Sequence, residues 1–166
     1  VHRVILALAL MLSACVGGAP KGDAVFRNAG TPIWSAAAFM PARIEGRWQQ
    51  VAAYQLAPTG TCRSGTVEFR PASGGLAVDG VLCLNGSARK VSGLAQPIGP
   101  GRLALPGQED WWILWVDTDY RTLAIGTPSG RFGFVLDRGT AAPDRLAAAR
   151  EILDFNGYAP AAFRPF

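Results

Sequence analysis

The chain has 166 residues, of which 49% are hydrophobic and only 17% charged, with a formal charge of +4. That length suits one domain with a real core and is short for two. The basic residues are scattered, with no cluster interleaved with aromatics, which argues against nucleic acid as a partner, and 20 glycines and 12 prolines signal the many turns of an all-β chain.

Residues 1–14, VHRVILALALMLSA, begin with His2 and Arg3 and continue as an apolar run from Val4 to Leu12. The run is too short to span a bilayer and has the form of a signal peptide. Leu12-Ser13-Ala14-Cys15 resembles the lipobox of bacterial lipoproteins, which implies cleavage before Cys15 and acylation of that residue. Several acyl chains on one residue anchor firmly. Val16 after the cysteine implies, within that class, delivery to the outer membrane. Residues 15–30, rich in Gly and Ala, are expected to form a lipidated tether, and 31–166 the folded domain. Phe39-Met40-Pro41-Ala42-Arg43 reads as a lead-in packed on that domain, with the composition of a short helical turn.

Gly46-Arg47-Trp48 opens the first strand, which runs to about residue 56 and sets Trp48, Gln50, Ala52 and Tyr54 on one face by period-2 alternation. Strands over 66–70, 76–84, 88–94 and 102–105 follow, separated by turn residues. A hairpin turning at Ala72 and Ser73 would set Cys62 directly opposite Cys83. An even cysteine pair in an exported chain predicts a disulfide, and two thiols without histidine are too few for zinc.

The stretch 110–138, DWWILWVDTDYRTLAIGTPSGRFGFVLDR, contains three short apolar runs, 111–116, 123–125 and 132–136, with turn residues between them. Pro128 and Gly130 exclude a helix, so the stretch reads as an antiparallel meander. The whole gives eight strands of even spacing, predicting an all-β, eight-stranded antiparallel up-and-down barrel, a calyx without exposed edges. Residues 143–155 are the one good helix, with Pro143 at its start, Gly157 past its end, and Leu146, Ile152, Leu153 and Phe155 expected against the outside of the barrel. The tail to Phe166 is expected to be extended and to pack through Phe163 or Phe166.

Alternation also predicts the lining. Solvated Arg131 and Asp137 leave Phe132, Phe134 and Leu136 inward with Arg138 on the same face, and Val67 and Phe69 point inward on the second strand. Residues 111–116 are apolar on both faces; an outward Asp117 puts Trp112, Leu114 and Val116 inside and Trp111, Ile113 and Trp115 against the helix.

Gly46-Arg47-Trp48, Thr118-Asp119-Tyr120 and Arg138, in that order and followed by a helix, resemble the marks of the lipocalin family, in particular its bacterial outer-membrane lipoprotein branch, over about 40–160. The resemblance implies a calyx that binds a small hydrophobic or amphipathic ligand, a fatty acid or lysophospholipid, on the periplasmic face of the outer membrane. Val67, Phe69, Trp112, Leu114, Phe132 and Phe134 are the candidate ligand contacts. Gly46, Trp48, Thr118, Asp119, Tyr120 and Arg138 are structural candidates: an indole plugs one end of the barrel and a guanidinium stacked on it adds about 0.5–2 kcal/mol.

Chemistry is harder to find. The only histidine is His2, inside the expected signal peptide. Glu109 with Asp110 and Asp117 with Asp119 sit in turns and read as solvated carboxylates rather than an acid–base pair. No phosphate loop is present. The sequence therefore predicts no catalytic residues, no metal site and no cofactor: a binding protein, not an enzyme. The alternative is a periplasmic barrel lipoprotein that acts on a protein partner, such as a protease inhibitor, and a third reading is a fully packed barrel with a structural role.

Overall fold

The computed structural model describes residues 24–56 and 62–166. The expected signal peptide, Cys15 and the first part of the tether lie outside the described residues. The strands are β1 (Gly46–Tyr54), β2 (Thr66–Ala72), β3 (Gly75–Leu84), β4 (Ser87–Gly99), β5 (Arg102–Ala104), β6 (Trp111–Val116), β7 (Thr122–Gly126) and β8 (Gly133–Asp137), then helix α1 (Pro143–Phe155) and a short β9 (Phe163–Pro165). Each of β2 to β8 is antiparallel to the next, and β1 pairs with both β2 and β8, which closes an eight-stranded barrel as predicted. Residues 46–49 of β1 use one edge for β2; the same edge carries β9 over 52–54.

Two apolar clusters hold the fold. The inner one fills the barrel with Trp48, Val67, Phe69, Trp111, Ile113, Leu123, Ile125, Phe134 and Leu136 among others. The outer one lies between the barrel wall and the segments that cover it, joining Tyr54, Leu114, Ala124, Val135, Ala149, Leu153, Tyr158 and Phe163. Every residue of β7 and β8 is buried. Strands covered on both faces are apolar throughout, which is why 123–125 and 132–136 carry little alternation.

Where simple alternation was extended across β1 and β6, the structure corrects it. A bulge between Gln50 and Ala52 places Trp48 and Ala53 in the inner cluster and Ala52 and Tyr54 in the outer one, so the expected single face is split. A second bulge, between Ile113 and Trp115, puts Trp111, Ile113 and Val116 inward and Trp112, Leu114 and Trp115 outward. Counting back from Asp117 gave the right face for Val116 and Trp115 and the wrong one for the four residues before them. One extra residue inverts every side chain beyond it.

The disulfide Cys62–Cys83 is present, with Cα atoms 5.6 Å apart. The hairpin that was to align it is different: its turn is Ser73-Gly74, with Gly74 at φ 84°, and Thr66 pairs with Val81, two residues from the expected register. Cys62 lies before β2 rather than in the ladder, and residues 62–65 bring it to Cys83. Closing a loop of 21 residues contributes about 3 kcal/mol through the unfolded chain. Beside it the buried Gln50 amide pairs with both backbone groups of Cys83, donating to its carbonyl at 2.8 Å and accepting from its N–H at 2.7 Å.

Helix α1 forms as expected but its contact face is Leu146, Ala149, Ile152 and Leu153, and Phe155 is 69% exposed. Two residues beyond Leu153, Phe155 lies about 200° around the axis, on the opposite side. Asp137 faces outward, yet it is 2% exposed rather than solvated. Its carboxylate accepts from the Thr122 hydroxyl at 2.6 Å and the Gly139 N–H at 2.8 Å and meets the Arg145 guanidinium of α1 at 3.4 Å. Residues 24–30, expected as the end of the tether, are packed on the wall: the Phe26 N–H donates to the Gly130 carbonyl, and the buried Arg27 guanidinium donates to the carbonyls of Asn156, Pro128 and Thr31. The tail packs through Phe163, while Phe166 is exposed.

Tyr158 seals this outer layer. Gly126 and Gly133 are cross-strand partners, and a Cβ on either would come within 2.8 Å of the Tyr158 ring or hydroxyl. The phenol donates to the Phe132 carbonyl at 2.6 Å and accepts from the Thr127 N–H at 2.8 Å. Burial lifts the Tyr158 phenol to about 12, and burial, aided by Tyr158 itself, also raises Tyr54, whose ring centroid is 4.9 Å away. Both folded values lie above the unfolded value of about 10, so this stabilisation is complete below pH 10 and is lost as the pH rises through about 12. In an alkaline titration followed at 295 nm, these two phenols are expected to ionise only together with the loss of near-ultraviolet circular dichroism. Ionisation of both near pH 10 with the barrel still folded would contradict the buried seam.

Candidate functional site

The barrel has two different ends. At the lower end the strands β1, β3, β5 and β7 begin. Trp48, 0% exposed, lies across the opening and its indole N–H donates to the Ile44 carbonyl at 2.7 Å. The Arg138 guanidinium covers the ring at 4.4 Å and donates to the carbonyls of Tyr120 and Arg43, both at 2.9 Å. Gly46 is at φ 100°, and a Cβ there would sit 3.2 Å from an Arg138 nitrogen. The spacing of Gly46 and Trp48 thus has a physical cause: the glycine leaves room for the guanidinium that stacks on the indole.

The turn carrying Thr118, Asp119 and Tyr120 completes this end. Tyr120 is held at φ 56°, an uncommon conformation for a side chain of that size. Its hydroxyl accepts from the Met40 N–H at 2.9 Å, its ring stacks near Phe39, and the Arg43 guanidinium lies 3.8 Å over it. Arg43 also donates to the Thr118 carbonyl at 3.3 Å. The expected lead-in is a 3-10 turn, Pro41–Ile44, that is clamped under the floor. The Asp117 carboxylate accepts from the N–H groups of Arg121 and Thr122 and shapes the turn. Every group here serves closure.

The upper end carries the connections at 55–65, 85–86, 105–110 and 127–132; of the first, residues 57–61 lie outside the described residues. A recess of about 560 Å³ lies there, lined by Leu84, Arg89, Lys90, Gly107, Gln108, Glu109, Arg131 and Phe132. Phe132 and Leu84 supply an apolar base, and three cations stand around it. The Arg89 guanidinium lies 5.6 Å from the Phe132 ring centroid. Glu109 braces the rim: its carboxylate accepts from the Ser129 N–H at 2.9 Å and hydroxyl at 2.7 Å, tying two connections together.

The six predicted ligand contacts divide. Val67, Phe69 and Phe134 are inside the barrel but packed into the inner cluster, each at most 1% exposed. Trp112 and Leu114 are outside, in the layer beneath α1, where Arg102 stacks on Trp112 at 4.0 Å. Only Phe132 reaches the recess. Leu84, Arg89, Lys90, Glu109 and Arg131 were missed. A signal existed: in an up-and-down barrel alternate connections collect at one end, so cations beside 85–86 and within 127–132 must share the mouth.

Among the described residues no three His, Cys, Asp or Glu side chains gather as metal donors. The arrangement offers an apolar base edged by three cations and by one carboxylate, Glu109, that is engaged by Ser129. It is suited to holding an anion with an apolar body.

Residues 41–165 match the sequence model of a family described as a lipocalin-like domain. None of the curated proteins compared with the chain matches it. Solved structures share the fold at low identity. Lobster apocrustacyanin A1 is 15% identical with a TM-score of 0.53, over 75% of this chain and 77% of the other. The siderocalin Ex-FABP, described as functioning through dual ligand specificities, is 17% identical with a TM-score of 0.53, over 73% and 91%. The cockroach allergen Per a 4 is 13% identical with a TM-score of 0.57, over 83% and 94%.

The floor gives a direct test. Arg138→Ala removes one cation–π contact and two charged hydrogen bonds and is expected to cost about 2 kcal/mol in urea unfolding, with Arg138→Lys recovering less than half. An unchanged midpoint in Arg138→Ala would show that Trp48 closes the barrel unaided.

Proposed function

The chain belongs to the lipocalin family, and from that premise we propose that it is an outer-membrane lipoprotein that binds one anionic single-chain amphiphile, a fatty acid or lysophospholipid, for lipid storage or transport in a bacterial envelope. The observation that carries the reading is the recess at the open end, apolar at Phe132 and Leu84 and edged by Arg89, Lys90 and Arg131. The headgroup would meet the cations, and each buried CH₂ of the chain would add about 0.8 kcal/mol. With the barrel filled from Trp48 up to Trp111 and Phe134, the acyl chain would lie over the mouth rather than reach the floor.

The reading of an anchor rests on the apolar run from Val4 to Leu12 followed by Leu12-Ser13-Ala14-Cys15, with Cys15 as the residue to be acylated and the domain on the periplasmic face. Binding rather than catalysis is supported by the absence of histidine from 24–166. A second reading, a barrel that docks a protein partner such as a protease, draws on the same filled interior, since a packed calyx offers a rigid rim.

Native mass spectrometry of the gently extracted protein is expected to show one bound amphiphile, and palmitate is expected to quench tryptophan fluorescence with one-to-one stoichiometry. Lys90→Gln/Arg131→Gln should weaken palmitate binding roughly tenfold at low salt while leaving a neutral monoacylglycerol of equal chain length little affected. No co-purified lipid and no quenching, with a protease recovered stoichiometrically on the protein, would replace this reading with the second.

A further inference from the structure

The path of the chain out of the barrel carries a statement about orientation. The first described residue, Ala24, lies beside the mouth: its carbonyl accepts from the Asn85 side chain at 2.9 Å, in the turn between β3 and β4, and Phe26 bonds to Gly130 between β7 and β8. Nothing before Ala24 is needed to bring the chain to this end. We propose that the open mouth of the barrel faces the anionic bilayer surface to which the chain is tethered, so that the binding recess opens onto lipid and the Trp48 floor points away. This rests on the reading of Cys15 as an acylated anchor.

Geometry favours that orientation. The stretch from Cys15 to Ala24 extends no further than about 32 Å. The barrel is about 25 Å tall, since a strand such as β3 spans about 33 Å along an axis tilted by roughly 40°. To put the floor on the membrane, the tether would have to run most of its reach down the outside of the barrel. To put the mouth there it need only extend from Ala24.

The surface around the mouth fits a lipid headgroup layer. Val25 and Leu56 are 58% and 74% exposed beside the exit point and past the end of β1, respectively. They are accompanied by Arg89, Lys90 and Arg131 on the rim. Exposed aliphatic side chains among cations are the combination that an anionic interface rewards, each cation adding to the attraction. The same cations would then serve twice, first holding the bilayer surface and then the headgroup of an amphiphile drawn from it.

The test uses the mature lipidated protein reconstituted into vesicles of phosphatidylcholine alone and of phosphatidylcholine with 30% phosphatidylglycerol, read by amide hydrogen exchange. Segments at 85–86, 105–110 and 127–132 are expected to exchange several-fold more slowly on the anionic vesicles, with the floor turns at 73–74, 100–101 and 117–121 unchanged. Lys90→Gln/Arg131→Gln should lose most of that difference, and unchanged exchange in β7 and β8 verifies its fold. Slowing at the floor turns, equal slowing at both ends, or none at either would overturn the orientation. A co-purified amphiphile without slowing at the mouth would retain the binding reading and reject this one; slowing at the mouth without an amphiphile would do the reverse.

Discussion

β1 must serve three neighbours with two edges, and the barrel depends on how it does so. Its lower half holds β2 and its upper half β9 on one side, while β8 occupies the other. The bulge between Gln50 and Ala52 falls where the strand passes from one partner to the next. Above that point β2 has not begun, and the Gln50 side-chain amide fills the gap by bonding Cys83 and the Gly65 N–H. A buried backbone pair left open there would cost roughly 1–3 kcal/mol per group. One amide and one disulfide therefore secure the weakest part of the closure, and Tyr54, turned outward by the bulge, becomes available to the outer layer.

The two ends follow from the same economy of contacts. The floor ties an indole, a phenol ring and two guanidiniums to one another and to backbone carbonyls. The mouth leaves its cations at the rim and its aromatic residue half-buried. The interior between the two ends is packed, because an eight-stranded barrel with Trp48, Phe69, Trp111 and Phe134 inside has little room for anything else.

Much of this was legible in the residues. Turn composition marked most strands closely, cysteine parity predicted the disulfide, and Gly46, Trp48 and Arg138 lie together at the floor. β4 is the exception, running on from the expected 88–94 through Pro97 to Gly99, residues that read as a connector yet pair with β5. What failed was orientation. Alternation decides a face only while the ladder is unbroken, and 111–116 offered no polar residue to reveal that Leu114 sits at a bulge. Asp137 looked solvated because a charge usually is, and only the helix above it supplies Arg145. Arg27 and Tyr158 carried no local signal at all, since their partners lie across the chain; the facing glycines at 126 and 133 were the one hint that a ring lay over that hairpin. The recess was missed because its residues come from three separate connections and matter only once they are brought together.

The covering of the wall is unequal around the barrel. β6 to β8 lie beneath α1, the 24–30 segment and Tyr158, whereas β4 is exposed along most of its length and the outer face of β2 and β3 meets solvent at Glu68, Arg70, Asp79 and Val81. Half of the cylinder is thus a double layer and half a single one. Local opening requires the least lost contact on the single-layered side. Such a barrel breathes about a stiff spine: β4, single-layered and exposed, yields first, while β7 and β8 stay in place and Gln50 with the disulfide holds the upper end of β3 to β1.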